Sequence, residues 1–375
     1  MSSPCNIQRP HLPPTPRSLI VDITTKCNLR CSYCYHFNSD ADVSADLPAA
    51  EWLSFFQEAQ QNAVLDIALG GGEPFLRPDL QEILQGIAAN RMRFMIMSNG
   101  TLITEELAAF VAGTRRCNGV QVSVDGANDE IHGFCRGQGT FHQALEGIRC
   151  LQRHQVPVTV RVTIHRRNVA DLENIARLLL EDLELETFST NDASFMGLCR
   201  SNTDVQLSPG DRTQAMAILL QLDKRYPGRI QATAGPLAEA KTWRDMVQAV
   251  REGREPAPEK GALTACGGVY AKLGVTADGT IVPCIQMPHL KLGRINRDDL
   301  RTVWQEHPEL KRLRERRRVP LRQFSWCRDC DYAPFCTGNC PAISFTTTGD
   351  ENLPNPHGCL KRFLESGGRV PDAPL

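Results

Sequence analysis

The sequence predicts an α/β protein, in the form of a partial (β/α)6 TIM-like barrel with a small, cysteine-rich C-terminal domain. From residue 18 onward, short runs of branched apolar residues alternate with helix-like segments, and this rhythm implies parallel strands joined by right-handed crossovers. Beyond residue 262 the apolar periodicity weakens and cysteines dominate, which indicates a unit held together by metal rather than by a large apolar core.

Six strands and five helices account for the barrel. The predicted strands, each a short run rich in branched residues, are Leu19–Ile23, Val64–Leu69, Phe94–Met97, Val120–Val124, Val158–Ile164 and Thr187–Thr190. The predicted helices that separate them are Ala49–Gln60, Leu80–Ala89, Glu105–Ala112, Phe141–His154 and Val169–Leu180. Side chains that follow consecutive strands of such a barrel meet at its C-terminal face, where active sites of this architecture lie.

The chain divides into four predicted parts. Residues 1–17 are proline-rich and predict a loose strap before the barrel, which spans 18–207. Residues 208–262 are interpreted as a helical bridge, and its glycine- and proline-rich end at 252–261 is the predicted linker. Residues 263–375 form the cysteine-rich domain and a C-terminal tail.

Charge and cysteine content narrow the class of protein. The 375 residues carry 42 Lys and Arg against 43 Asp and Glu, so no global basic field favours nucleic acid or an anionic membrane. The longest apolar runs, such as Val64–Leu69, are too short to span a bilayer, and the first residues lack the apolar region of a signal peptide. With 15 cysteines and no export signal, we expect a cytoplasmic protein whose clustered cysteines bind metal.

Three cysteines follow directly after the first strand. Cys27, Cys31 and Cys34 form C-x3-C-x2-C, a spacing that lets three thiolates converge on one [4Fe-4S] cluster. One iron is then left without a protein ligand, whereas an electron carrier closes that position with a fourth cysteine. The spacing alone leaves two alternatives open: a zinc site completed by His36, because structural zinc sites take four ligands, and three incidental thiols.

Polar motifs also follow the next three strands. They are GGGEP at Gly70–Pro74, Ser98-Asn99-Gly100, Ser123-Val124-Asp125-Gly126 and, beyond the fourth strand, Arg136-Gly137. Each motif alone has an ordinary interpretation as a turn or a solvated charge. In this order, and together with the cysteine triplet, they resemble the radical S-adenosylmethionine (SAM) superfamily.

This resemblance implies a SAM-binding [4Fe-4S] cluster on Cys27, Cys31 and Cys34. It implies a glycine-lined site for the amino group of SAM, with Ser123 facing the ribose, Arg136 the methionine carboxylate and Tyr33 the adenine. The cofactor-binding residues that it implies are Tyr33, Gly71, Gly72, Glu73, Ser98, Asn99, Ser123, Asp125 and Arg136. It identifies no further catalytic side chain.

Seven more cysteines occur near the C-terminus. Their order, Cys266, Cys284, Cys327, Cys330, Cys336, Cys340 and Cys359, resembles the SPASM extension of radical SAM enzymes, although 327–340 alone is also typical of a zinc ribbon. The resemblance implies an iron–sulfur domain with two auxiliary clusters, which we expect to be [4Fe-4S]. It implies that one cluster is held by Cys327, Cys330, Cys336 and Cys359, and the other by Cys266, Cys284 and Cys340.

Two features depart from the pattern of that extension. Residues 267–283 lack the additional cysteine of fully ligated relatives, so the second cluster has an open iron, a water or non-cysteine ligand, or a cysteine from elsewhere such as Cys199. Cys284 is followed by Ile285 and Gln286, where the sulfatase-maturating branch has an aspartate, and this difference places formylglycine formation in doubt. Cys5, Cys117, Cys135, Cys150 and Cys199 are interpreted as ordinary buried residues.

The resemblance implies an enzyme that cleaves SAM reductively and abstracts a hydrogen atom from a substrate. We expect a ribosomally synthesised peptide, an oxidative crosslink or related modification, and a reductase, flavodoxin or ferredoxin as electron donor. Because the segment before the first strand is too short for a fused leader-recognition domain, a separate recognition protein or direct binding is expected. The basic run Lys311–Arg318 is a candidate grip for an acidic leader, and its alternative interpretation is a solvated helix face.

Three other functions stay open at this stage. A small-molecule or tetrapyrrole side-chain dehydrogenase of the same superfamily would use the same cofactors. A non-catalytic iron–sulfur electron carrier would lack SAM cleavage, and a zinc-stapled binding module would lack sulfide. In either enzyme, the glycine-lined mouth and the loop Asn191–Arg200 are expected to shape the substrate pocket.

Overall fold

The computed structural model describes residues 12–38, 43–264 and 266–371. Within these residues the strands are β1 (Ser18–Thr24), β2 (Asp66–Gly71), β3 (Arg93–Ser98), β4 (Cys117–Ser123), β5 (Val158–Ile164), β6 (Phe188–Asp192), β7 (Ile230–Ala232), β8 (Lys272–Val275), β9 (Thr280–Val282) and β10 (Gly293–Arg294). The α-helices are α1 (Ala49–Gln61), α2 (Leu80–Ala89), α3 (Glu105–Gly113), α4 (Asp129–Arg136), α5 (Thr140–Arg153), α6 (Leu172–Arg177), α7 (Pro209–Arg225), α8 (Gly235–Glu252), α9 (Leu300–Glu306), α10 (Pro308–Glu315), α11 (Ser325–Arg328), α12 (Pro341–Thr348) and α13 (Leu360–Glu365).

All of these strands belong to one open sheet, in the order β10-β9-β8-β1-β2-β3-β4-β5-β6-β7. Strands β1 to β7 run parallel to their neighbours and β8 is parallel to β1, whereas the β8–β9 and β9–β10 pairs are antiparallel. The predicted α/β class is confirmed, and the six predicted strands lie side by side in chain order. Their C-terminal ends therefore share one face of the molecule.

The core lies between the sheet and the helices that cross over it. In β1, Leu19, Val21 and Ile23 are completely buried. Trp52 and Phe56 of α1 are equally buried and belong to the same apolar cluster. Burial of these large side chains fixes the position of β1, and with it the start of the loop that carries the first cysteine triplet.

Two elements between 117 and 262 differ from the prediction. Helix α7 ends at Arg225, and a short turn at 226–229 follows it. The next three residues form β7, which pairs parallel to β6 within the region that the sequence predicted to be helical. Helix α4 was not predicted because it is only eight residues long and contains an internal glycine. It begins instead with a local cap, in which Asn128 Oδ1 accepts a hydrogen bond from the Ile131 amide at 3.0 Å.

The C-terminal domain contains a β-hairpin. Strands β8 and β9 pair around the Asp278-Gly279 turn, where Gly279 has a φ of +83°. The sequence did not reveal that β8 also pairs with β1, with Val275 opposite Val21. The cysteine-rich region therefore extends the barrel sheet instead of forming a wholly separate layer.

The described part of the N-terminal segment is fastened to the C-terminal domain. Trp304 Nε1 and Gln305 Nε2 donate hydrogen bonds to the Pro13 carbonyl at 2.8 and 3.0 Å. These contacts hold residues 12–17 against α9, and the rest of the predicted strap, residues 1–11, lies outside the described residues. Within the described chain, no helix combines the length and apolar character needed to cross a bilayer.

Candidate active site

The loop after β1 brings the first cysteine triplet to the C-terminal face of the sheet. Cys27, Cys31 and Cys34 line one cavity of about 310 Å³, together with residues from the ends of β2 to β6. Burial raises the pKa of the Cys31 thiol to about 12, and the neighbouring Cys34 and Cys27 act in the same direction. Three such thiols become thiolates only if a bound cation compensates their charge, as a metal cluster does.

Two side chains from other motifs lie close to these sulfur atoms. Arg136 Nη1 is 3.8 Å from Cys31 Sγ, and Asn99 Nδ2 is 3.9 Å from Cys27 Sγ. Both are N–H donors, and donors beside cysteine sulfur tune the electronic properties of an iron–sulfur cluster. The residues present thus fit an iron–sulfur cluster at this loop.

The glycines of the GGGEP motif hold the cysteine loop in place. The Gly72 amide donates to the Thr24 carbonyl, and the Glu73 amide donates to the Lys26 carbonyl, each at 2.8 Å. A Cβ at Gly72 would lie 2.0 Å from the Lys26 carbonyl oxygen, and one at Gly71, where φ is +109°, would lie 2.2 Å from the Thr24 oxygen. Glycine is therefore required at both positions, because any side chain would push the end of β2 away from the segment that leads into the cysteine loop.

We expect Gly72→Ala to displace the segment that leads into Cys27. The added methyl group cannot fit beside a backbone carbonyl, so cluster incorporation and SAM cleavage should each fall at least about tenfold. The measurements are iron and sulfide content and 5′-deoxyadenosine release under anaerobic conditions. Gly113→Ala is the matched control, because a Cβ there meets no described atom within 4 Å. Equal behaviour of the two variants would contradict this role for Gly72.

Glu73 joins the ends of β2 and β3. Its buried carboxylate accepts hydrogen bonds from Ser98 Oγ at 2.9 Å, from the Asn99 amide at 2.7 Å and from the Phe75 amide at 3.1 Å. Burial raises the pKa of Glu73 to about 7, although these hydrogen bonds favour the charged form. The predicted residues of the second and third motifs are thus one connected unit.

Asp125 lies behind the cavity wall and holds two residues that line it, Tyr33 and Arg136. The carboxylate is fully buried and accepts hydrogen bonds from the Tyr33 hydroxyl, from Arg136 Nε at 2.5 Å and from the Thr163 amide at 2.7 Å. Burial alone would raise the pKa of Asp125, but the charge of Arg136, with smaller effects from His165 and His132, holds it below its usual value. Of the nine predicted cofactor-binding residues, Asp125 is the one that does not line the cavity.

Tyr33 presents its ring, rather than its hydroxyl group, to the cavity. The hydroxyl is bound to Asp125, the ring stacks on His165 with centroids 5.8 Å apart, and the Arg136 guanidinium lies 5.5 Å from the ring centre. Burial lowers the pKa of His165 and of His132 to about 4, so both imidazoles are neutral near pH 7. The arrangement fixes an aromatic face beside the cysteine triplet.

Three polar residues within strands line the cavity although the sequence did not point to them. They are Arg161 and Thr163 of β5 and Gln121 of β4, and Asn191 of β6, the first residue of the predicted pocket loop, lies with them. Arg161 Nη2 donates to Gln121 Oε1 at 3.1 Å, whereas Arg161 Nε is buried without a partner among the described residues. A single charge within the apolar run VTVRVTI was the available signal.

Asp22 is a second missed residue. It is the only charge in β1, and its Oδ1 atom is buried without a hydrogen-bond partner among the described residues. Burial raises the pKa of Asp22 to about 7, while Oδ2 lies 3.7 Å from His36 Nδ1. A carboxyl with such a pKa can hold or release a proton near neutral pH.

Asp22 lines a larger cavity of about 920 Å³ that adjoins the first one. Tyr35 and Gln286 line both cavities. Arg200 and Lys291 supply positive charge to the larger one, and its aromatic surface comes from His289 and Phe345, whose rings stack with centroids 3.6 Å apart. This space between the barrel and the C-terminal domain suits a large ligand with anionic and flat parts.

The C-terminal cysteines form two groups of neighbouring thiols. Burial raises the pKa of Cys327 to about 12, and the neighbours that add to this effect are Cys336, Cys359 and Cys330. Burial raises the pKa of Cys284 to about 11, and its neighbours are Cys340 and Cys266. Cys199 does not join the second set, because it is buried beside Tyr33, Cys135 and Val205. The described contacts of Cys199 thus give no support to its suggested role as the missing ligand, which stays a prediction.

The basic run 311–318 is exposed only in part. Arg314 and Arg316 are buried, and Arg314 donates to the Val269 and Trp304 carbonyls at 3.0 and 2.8 Å. Arg312 is bound to Glu309 and Glu351. Part of the run therefore packs into the C-terminal domain, whereas Lys311 and Arg318 stay exposed and are the cations left for a grip on an acidic leader.

Family models match both parts of the chain. The model of the Radical SAM superfamily matches residues 21–179, and that of the SPASM iron–sulfur cluster-binding domain matches residues 266–331. A curated relative, the AdoMet-dependent heme synthase of Methanosarcina barkeri (strain Fusaro / DSM 804), is 29% identical over 359 residues, which cover 92% of this chain and 97% of the relative.

Two solved structures show the same fold at low sequence identity. SuiB of Streptococcus suis, solved with S-adenosylmethionine, matches with a TM-score of 0.70 and 16% identity over 92% of this chain and 77% of that one. Native anSMEcpe with bound AdoMet matches with a TM-score of 0.67 and 17% identity over 93% and 96% of the two chains.

Proposed function

Because the chain belongs to the SPASM branch of the radical SAM superfamily, we propose that it is a SAM-dependent oxidoreductase that acts on a side chain of a tetrapyrrole. Membership implies SAM and iron–sulfur clusters as cofactors. When bound, they supply a 5′-deoxyadenosyl radical, which removes a hydrogen atom from the substrate. We place the SAM-binding [4Fe-4S] cluster at Cys27, Cys31 and Cys34, and two auxiliary [4Fe-4S] clusters at the two C-terminal cysteine sets.

The cavity beside the triplet supplies the proposed SAM contacts. Gly71, Gly72, Ser98, Asn99 and Ser123 present small or polar groups to it. Arg136 is fixed by Asp125 near the triplet, where its charge suits the methionine carboxylate, and the Tyr33 ring suits the adenine. Asp125 and Glu73 keep these groups in position, so little reorganisation is needed when SAM binds.

The adjoining cavity of about 920 Å³ is the observation that carries the substrate assignment. Its size fits a macrocycle, Arg200 and Lys291 fit carboxylate side chains, and the stacked His289 and Phe345 fit a flat ring system. The similarity to a heme synthase over 97% of that relative supports the same substrate class. The peptide substrate expected from the sequence has weaker support.

Oxidation of a side chain to a double bond removes one hydrogen atom, one electron and one proton. Asp22 lines the substrate cavity and has a pKa of about 7, so we assign it the proton. The auxiliary clusters would take the electron, and a cytoplasmic reductase, flavodoxin or ferredoxin would supply the electron that starts each turnover.

The test is a titration of anaerobically reconstituted protein with iron coproporphyrin, a tetrapyrrole with propionate side chains. We expect a shift of its Soret absorption band on binding and, with SAM and dithionite, a change in its mass together with 5′-deoxyadenosine release. Arg200→Ala combined with Lys291→Ala should weaken binding at least about tenfold, because two charged contacts are lost. Absence of both binding and a mass change would reject the tetrapyrrole assignment.

A ribosomally made peptide is the second candidate. SuiB and anSMEcpe have also been solved with the precursor peptide SuiA and the Cp18Cys peptide, at 15% and 17% identity to this chain. These identities show the fold alone, so the peptide candidate has to be tested beside iron coproporphyrin in the same experiment. SAM cleavage stimulated by a peptide, but not by iron coproporphyrin, would favour it and would require a leader-binding surface or a separate recognition protein.

A further inference from the structure

Arg316 lies in the basic run that the proposed function does not use. Its side chain is in the C-terminal domain and is only 2% exposed. Nη1 donates a hydrogen bond to the Thr264 carbonyl at 3.1 Å, whereas Nε and Nη2 are buried without a hydrogen-bond partner among the described residues. A buried guanidinium with unpaired N–H groups is costly unless an anion is bound beside it.

The nearby carboxylates do not provide that anion. Glu351 accepts a hydrogen bond from Arg312, and no ion pair joins a carboxylate to Arg316 within the described chain. Burial accordingly lowers the pKa of Arg316 to about 10. Because no carboxylate within the described chain is paired with this guanidinium, a negatively charged group fits at this place.

The second auxiliary cysteine set lies beside Arg316. Thr264, whose carbonyl binds Arg316, lies two residues before Cys266, and its amide donates to the Thr337 carbonyl at 2.6 Å, three residues before Cys340. The guanidinium is thus placed within electrostatic reach of the set that has only three cysteine ligands.

We propose that Arg316 neutralises the auxiliary cluster held by Cys266, Cys284 and Cys340 and donates N–H hydrogen bonds from Nε and Nη2 to its sulfur atoms. The cluster gains one negative charge when it accepts one electron. A fixed cation and N–H donors stabilise that reduced form, so Arg316 raises the reduction potential of the cluster. This role goes beyond the proposed function and does not depend on the identity of the substrate.

The experiment is a redox titration of the fully reconstituted protein, followed by electron paramagnetic resonance. In Arg316→Met, the ratio of reduced to oxidised auxiliary cluster at a fixed potential should fall at least tenfold, which corresponds to 59 mV for one electron. The signal of the SAM-binding cluster, which changes when SAM is added, should keep its midpoint and serves as the internal reference.

Two further variants separate electrostatics from folding. Arg318→Met removes an arginine of the same run that is exposed and paired with Glu315, and it should leave both midpoints unchanged. Arg316→Lys keeps the charge but loses the donor geometry, so its shift should lie between wild type and Arg316→Met, and it replaces Arg316→Met if that variant does not fold. The proposal would be overturned if, in the folded Arg316 variant, the ratio of reduced to oxidised auxiliary cluster at the fixed potential stayed within threefold of the wild-type ratio.

Discussion

Replacement of Cys27 by alanine should reduce SAM cleavage more than about 100-fold, because the variant loses one of the three ligands to the cluster that we propose binds SAM. The protein should retain its two auxiliary clusters, so the iron content should fall by about one cluster per chain. The side chain of Cys27 makes only long contacts, at 3.4 Å to the Leu29 amide and 3.9 Å to Asn99 Nδ2, so the fold should survive its truncation.

The measurement is 5′-deoxyadenosine and methionine release after anaerobic reduction, combined with iron analysis. Cys117→Ala is the matched control, because this thiol is half-buried at the start of β4 and lies outside all three cysteine sets. SAM cleavage at the wild-type rate in Cys27→Ala would show that the cleaving cluster is held elsewhere.

Replacement of Asp125 by asparagine should lower the free energy of unfolding by about 3–5 kcal/mol. The change keeps the shape of the side chain but leaves the buried Arg136 guanidinium without its counter-charge. The new amide group would also face other donors, since Tyr33, Arg136 and Thr163 all donate to Asp125. Loss of this anchor should reduce SAM affinity, because Tyr33 and Arg136 would no longer be held in position.

The effect of Asp125→Asn should depend on pH. In the wild type, the lowered pKa of Asp125 contributes stability that is complete above its usual value of 3.8 and is lost as the pH falls through the folded-state value. The difference between the two proteins should therefore narrow in acid. Urea denaturation under anaerobic conditions measures this difference in the free energy of unfolding. Asp245→Asn is the control, because the Asp245–Arg254 pair is exposed and contributes at most about 1 kcal/mol. A loss below 1 kcal/mol in Asp125→Asn, with SAM affinity unchanged, would contradict the anchoring role.

The sequence predicted the parts of the site that depend on local patterns. Cys27 and Gly72 follow recognisable strands, so their meeting at one face follows from parallel topology alone. Contacts between distant segments escaped this reasoning. Nothing within Lys272–Val275 indicates that this strand pairs with β1, because its partner lies about 250 residues earlier in the chain. The three residues of β7 are likewise too short to show a period.

The burial of charged side chains was also not predicted from the sequence. A run such as 311–318 is typical of a solvated surface, because burial of arginine is expensive unless it is compensated. The compensating groups of Arg314 are carbonyls of Val269 and Trp304, and they cannot be recognised from sequence spacing. Asp22 and Arg161 did leave a sequence signal, a single charge inside an apolar strand, and such charges merit attention whenever a barrel is predicted.

The pairing of β8 with β1 has a consequence for biosynthesis. A ribosome produces Ser18–Thr24 long before Lys272–Val275, so one side of the first strand must wait for its neighbour while the intervening chain is made. During that interval its amide and carbonyl groups are open to other chains, a recognised route to aggregation. The yield of folded protein would then depend on how quickly the chain is completed as far as β8, and the barrel region expressed alone would keep one edge of β1 unpaired.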